Sequence, residues 1–121
     1  MQSGWIVYKN KRILYANYSG LDADMERLKS EVGHINTLAC QQPLGSVLLL
    51  VNVLGSTGTK DALGFLKDSA VLVKKHVIKT AVVGVSGFKE MLMNMISSYS
   101  GLSLVVFPDL ESAKDWLIKD V

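Results

Sequence analysis

The chain opens with two short runs rich in β-branched and aromatic residues. Residues 5–9 (WIVYK) and 12–18 (RILYANY) carry this pattern, and Asn10 and Lys11 lie between them. The spacing predicts an antiparallel β-hairpin with a tight turn. The pattern breaks at Ser19-Gly20-Leu21-Asp22, where a hydroxyl residue followed by an acid three positions on predicts a helix start of capping-box type. Leu21, Met25, Leu28, Val32, Ile35 and Ala39 then recur at spacings of 4, 3, 4, 3 and 4. This is one stripe of an amphipathic helix, with Glu26, Arg27, Lys29, Ser30 and Glu31 turned outward. Gln41-Gln42-Pro43-Leu44-Gly45 ends it, because proline does not continue a helix.

Residues 46–53 (SVLLLVNV) are continuously apolar, which predicts an interior parallel strand covered on both faces. From about Thr59 to Val77 the period is helical again, with Ala62, Leu66, Ala70, Val73 and Val77 on one side. Residues 80–85 (TAVVGV) predict a second buried strand. Ser86-Gly87 begins a third helix with Phe88, Leu92, Met95 and Tyr99 inward, and Gly101 closes it. Residues 102–107 (LSLVVF) predict the last strand. Pro108-Asp109 opens a final helix with Leu110, Ala113 and Leu117 facing in and Trp116 beside them. The order is ββαβαβαβα over a single domain, 1–121. It predicts an α/β fold with a mixed, mostly parallel five-stranded sheet.

Composition narrows the class. Of 121 residues, 49% are hydrophobic and 20% charged, the balance of a globular chain. Thirteen basic against eleven acidic residues leave +2, too little for an electrostatic nucleic-acid surface. The single cysteine, Cys40, forms no intrachain disulfide and fits a reducing compartment. The first residues alternate rather than forming a basic segment and an apolar core, and no apolar run reaches the length of a membrane span. The expectation is a cytoplasmic domain without membrane span or nucleic-acid partner.

Candidate chemistry centres on Leu54-Gly55-Ser56-Thr57-Gly58-Thr59, where a strand becomes a helix. It is not a P-loop: only two residues separate the glycines, and Thr59 precedes Lys60. Its position at the carboxyl end of a parallel strand is nonetheless the usual ligand edge of an α/β sheet, and free helix-start N–H groups favour an anion. Val85-Ser86-Gly87-Phe88 forms a second such turn. The simpler reading is that glycine eases the turn while Thr57 or Thr59 caps the helix. His34 and His76 belong to no metal or triad spacing, and Cys40 has no matched histidine and reads as an inert buried thiol. Asp22, Asp24 and Glu26 read as helix-start acids. No catalytic, cofactor or metal set is expected.

Residues 79–117 resemble the STAS-like group related to the sporulation anti-sigma-factor antagonist. The resemblance rests on Val82-Val83-Gly84-Val85-Ser86-Gly87, on the strand ending in Phe107, and on Leu110-Glu111-Ser112-Ala113 with Trp116-Leu117. It implies a β/α superhelix of STAS type and a regulatory or binding role. It further implies a phosphorylatable hydroxyl in the loop Leu54–Thr59, with Ser56 and Thr57 the candidates. The antagonists usually carry Asp-Ser-Ser/Thr-Gly-Leu there, and this chain has no acid before its hydroxyls. The resemblance extends to SEC14-type lipid-transfer domains, which are larger and carry a lid.

The third helix adds a second candidate surface. Met91, Met93 and Met95, with Phe88 and Ile96, leave only a narrow polar strip. Such a helix is deeply buried, or it covers a partner, a second copy of the chain or an acyl chain. The leading expectation is therefore a non-enzymatic STAS-like regulatory domain binding a protein partner through a surface that includes Leu54–Thr59 and this helix, with Gly55–Thr59 and Ser86-Gly87 the candidate switch or anion turns. The alternatives are a binder of an apolar or anionic small molecule seated between the loops after the third and fourth strands, and an enzyme.

Overall fold

The computed structural model describes residues 3–55, 59–85 and 104–119. Strands β1 (Gly4–Tyr8), β2 (Lys11–Asn17), β3 (Val47–Asn52), β4 (Val77–Val83) and β5 (Leu104–Phe107) form one five-stranded sheet in sequential order. β1 and β2 pair antiparallel, and every later neighbour is parallel. Helices α1 (Met25–Cys40), α2 (Lys60–Val73) and α3 (Leu110–Ile118) complete the described elements, with short 3₁₀ turns at Leu21–Ala23 and Lys74–His76. The α/β class and the mostly parallel sheet agree with the sequence reading. The expected helix over residues 88–99 lies outside the described residues.

The hairpin turn falls one residue earlier than expected. Tyr8 pairs with Lys11, so Lys9 and Asn10 make the two-residue loop. Both have positive φ, 48° and 68°, the conformation that suits the right-handed twist of paired strands. The capping box is also displaced. Asp24, not Ser19, caps α1 by accepting from the Arg27 N–H, while Ser19 Oγ donates to Asn17 Oδ1 at 2.7 Å. Leu21 stays buried, carried by the 3₁₀ turn.

The stripe Leu28, Val32, Ile35, Ala39 faces the sheet as predicted. Glu31 was expected outside and is buried, because its Oε1 accepts from Ser3 N at 3.0 Å and Ser3 Oγ at 3.1 Å. A carboxylate is tolerated there only because those donors replace water. Val77 likewise leaves the helical set. α2 ends at Val73, and Val77 starts β4 opposite Val47. Its spacing from Val73 suits both a helix stripe and a strand start, so periodicity alone misassigns it.

The period-two alternation of the strands sorts side chains onto two faces. Leu14, Ala16, Leu49 and Val82 meet α1 and α2; Ile13, Leu48, Leu50, Ala81 and Val83 meet Ala113 and Leu117 of α3. α3 therefore covers the face that α1 and α2 leave bare. Lys79, on that same face of β4, donates to the terminal carbonyls of Trp116 at 3.0 Å and Lys119 at 2.7 Å. A cation at the carboxyl end of a helix satisfies carbonyls that have no intrahelical partner.

Candidate functional site

β2, β3 and β4 run parallel, so the segments leaving them emerge along one edge of the sheet. Two asparagines in register, Asn17 and Asn52, end their strands there. Asn17 Oδ1 accepts from Ser19 N and Oγ, and Asn52 Oδ1 accepts from Leu54 N at 3.0 Å while its Nδ2 donates to Tyr15 Oη at 2.9 Å. Side chains that bond backbone two residues on turn the chain out of a strand. The backbone ladder nevertheless runs on into the loops: Tyr18 N donates to Asn52 O, Gly20 N to Leu54 O and Val53 N to Val83 O, each at 2.9 Å.

Gly84 locks this rim. It has φ +88°, and a Cβ placed there would lie 2.5 Å from Leu54 N and 2.6 Å from Leu54 Cα. Only glycine permits both the left-handed conformation and so close a backbone approach. The described residues that leave β2, β3 and β4 thus meet around Leu54, which is 47% exposed. Thr59 Oγ1 accepts from Ala62 N at 3.3 Å and caps α2, so of the two hydroxyls weighed for that role Thr59 performs it.

Of the sequence candidates, Gly55 and Thr59 stand on or beside this rim. Ser56, Thr57, Gly58, Ser86 and Gly87 lie outside the described residues, as do Phe88, Met91, Met93, Met95 and Ile96. The described rim residues, 17–20, 52–55, 84 and 85, include no carboxylate, imidazole or thiol. What they offer is apolar contact, amides and backbone groups. Among the described residues no cluster of histidine, cysteine and acids could hold a metal ion, and no helix is long and apolar enough to cross a membrane. His76 is buried with its Nδ1 2.8 Å from Gln42 O, a satisfied core histidine. Cys40, expected to be buried, is exposed, because it sits on the last turn of α1 beyond the stripe that ends at Ala39.

A second feature has no counterpart in the residue pattern. A cavity of about 70 Å³ lies beneath α2, against the face of β3 and β4 that carries Leu49, Val51, Thr80 and Val82. Its described walls are mostly aliphatic, and Tyr18, Ser69 and Thr80 contribute hydroxyl-bearing side chains. Burial pushes the Tyr18 hydroxyl well above its ordinary value, and the Glu31 carboxylate adds to the shift. Tyr18 therefore stays a neutral donor. The cavity lies under α2; most of the two loops between which a small ligand is expected, after β3 and β4, lies outside the described residues.

A separate ionic cluster joins the hairpin to α3. Asp115 Oδ1 accepts from Tyr8 Oη at 2.7 Å and from Lys9 Nζ at 3.1 Å. The Tyr8 hydrogen bond, then that of Lys9, holds the Asp115 carboxyl below its usual range. The three groups are solvent-accessible and read as a surface tie.

Comparison of the chain with family models, with curated proteins and with solved structures returns no match.

Proposed function

We propose that this chain is a non-enzymatic, STAS-like domain of the β/α superhelix type that binds a protein partner through the rim after β2, β3 and β4. The observation carrying this reading is that the described starts of three loops meet, with Gly84 packed on the Leu54 backbone and Gly20 bonded to Leu54 O. Its described residues are chiefly apolar and amide in character and include no acid–base pair, which suits recognition rather than turnover. Sequential strand order with parallel neighbours agrees with the superhelix that the resemblance implies. Ser56 and Thr57 follow directly on this rim in the chain, where a phosphoryl group would add charge beside the partner surface.

The test is crosslinking with mass spectrometry in the native cell, using wild type, Leu54→Asp, and the paired Ser56/Thr57 substitutions to Ala and to Asp. One partner should crosslink near residues 54–59, be lost with Leu54→Asp, and respond oppositely to the Ala and Asp pairs. Identical crosslinks from all four proteins would contradict the proposal.

A second reading, a small-molecule binder, is favoured by one specific observation, the largely aliphatic cavity beneath α2.

A further inference from the structure

The rim lies where the parallel strands end; the opposite pole is where β2, β3 and β4 begin. Backbone bonds join the turns of this amino pole. Gly45 N donates to Lys75 O at 2.9 Å and Ser46 N to His76 O at 3.0 Å, so the turn before β3 lies against the turn before β4. The hairpin turn, Lys9 and Asn10, is at the same end, because β2 starts from it and runs parallel to β3. Trp5 and Arg12 of the hairpin line one surface depression with Pro43 and Ser46. α3 ends at this pole too, since Lys79 of β4 reaches the Lys119 carbonyl.

Among the described residues, charge is divided unevenly between the poles. Lys9, Lys11, Arg12, Lys74, Lys75 and Lys119 stand exposed at the amino pole. Asp115 stands beside them and already accepts from Tyr8 and Lys9. Asp24, Glu26, Asp61, Asp109 and Glu111 sit at the starts of the three helices, at the other pole, where Arg27 and Lys60 offset them only in part. Helix dipoles account for those acids and for Lys74 at the end of α2. They do not account for Lys9, Lys11 and Arg12, which belong to a hairpin. Nor do they account for the apolar side chains left in water at the same pole. Val7 is 73% exposed, Leu44 69% and Leu72 53%. Val7 pairs with Arg12, Leu44 stands in the turn bonded to that of Lys75, and Leu72 shares an open depression with Lys74 and Lys75.

A single exposed aliphatic side chain is ordinary, but aliphatics set among cations at one end of a molecule select a partner. A nucleic-acid backbone would engage the cations and leave the aliphatics in water. The acidic pole of a second copy would set them against carboxylates. An anionic bilayer satisfies both, because cations meet the headgroups while apolar tips enter the boundary with the acyl chains. We propose that the amino pole of the sheet docks this protein on an anionic lipid bilayer. Arg12, Lys74, Lys75 and Lys119 meet the headgroups, and Val7, Leu44 and Leu72 insert. This surface is separate from the rim, which a docked molecule presents away from the bilayer.

The test is co-sedimentation of the full-length chain with vesicles of phosphatidylcholine, with and without phosphatidylserine, at low and high salt. Compared with wild type are Lys74→Gln/Lys75→Gln, Leu44→Ser, and Arg27→Gln/Lys29→Gln, which removes the same charge near the start of α1. All these positions are exposed, so the variants keep the fold. Wild type should bind the phosphatidylserine vesicles at least about tenfold better than the neutral ones and lose that preference at high salt. A cation at such a surface contributes about fivefold, so the Lys74/Lys75 pair should bind about 25-fold more weakly. Leu44→Ser should bind about threefold to tenfold more weakly. The Arg27/Lys29 pair, more than a Debye length from the pole, should stay within about twofold of wild type. Equal binding to both vesicles, or equal losses in the two double variants, would overturn the proposal. So would absence of vesicle binding. In that case a DNA duplex bound equally by wild type and Leu44→Ser would mark a nucleic-acid surface, and salt-sensitive self-association abolished by Lys74→Gln/Lys75→Gln would mark a second copy.

Discussion

On one face of the sheet, Leu48, Leu50, Ala81 and Val83 close against a helix of 9 residues; on the other, Leu49, Val51 and Val82 face helices of 16 and 14 residues and a cavity remains. More helix has not meant tighter closure. The difference lies in what each helix presents. α3 sets Ala113 against the sheet with no exposed surface, so the backbones approach closely, while Leu117 fills the space beyond and Lys79 ties down the helix end. α2 presents Ala70 and Ser69 to the cavity, and Ser69 Oγ donates to Asn36 Oδ1 of α1. Small side chains close a gap only where the backbones can follow.

The largest expected effect sharpens this contrast through truncation. Leu117→Ala removes a fully buried side chain from the closed face and should cost about 3–5 kcal/mol in denaturant unfolding. Leu66→Ala, at the cavity wall, should cost about half as much, since part of its surroundings is already empty. Equal losses would mean the faces are packed alike. Enlargement reverses the order. Ala113→Leu should destabilise by about 1–3 kcal/mol, whereas Ala70→Leu should leave stability within about 0.5 kcal/mol of wild type or raise it. A matching loss at Ala70 would break the comparison.

The smallest effect is a pH dependence. Tyr18 has a folded-state value raised above its ordinary 10.0 by burial. Below pH 10 both folded and unfolded states keep the proton, and the group adds no slope. Above it, the unfolded state loses the proton while the folded state holds it, so stability falls by at most about 1.4 kcal/mol per pH unit. Tyr18→Phe should lose this contribution and fall less steeply than wild type between pH 10 and 11. Parallel curves would place the Tyr18 hydroxyl in contact with water.

Much of this architecture was legible from periodicity. The sorting of Leu14 and Ile13, or of Leu49 and Leu50, to opposite faces follows from strand alternation, and the parallel order follows from helices between strands. Several positions escaped, for different physical reasons. Glu31 is drawn inside by Ser3, which lies 28 residues away. Ser19 bonds backwards to Asn17 instead of forwards to a helix. Val77 satisfies two periods at once. Of the candidate site, the position of the Leu54–Thr59 loop at the carboxyl edge could be read from strand direction, whereas the helix cap was narrowed only to Thr57 or Thr59. The interlock of Gly84 with Leu54 could not, because it depends on backbones approaching across two separate loops. The cavity could not be read either, since a void is a property of how α2 settles on the sheet and no residue type announces it.

The unequal closure of the two faces is tested most directly by xenon, which enters dry apolar space without hydrogen bonding. Methyl NMR under xenon pressure should shift Leu49, Val51, Leu63 and Val82 and leave Ile13, Leu50, Val83 and Leu117 unmoved. Shifts spread evenly over both sets, or confined to the second, would contradict the account.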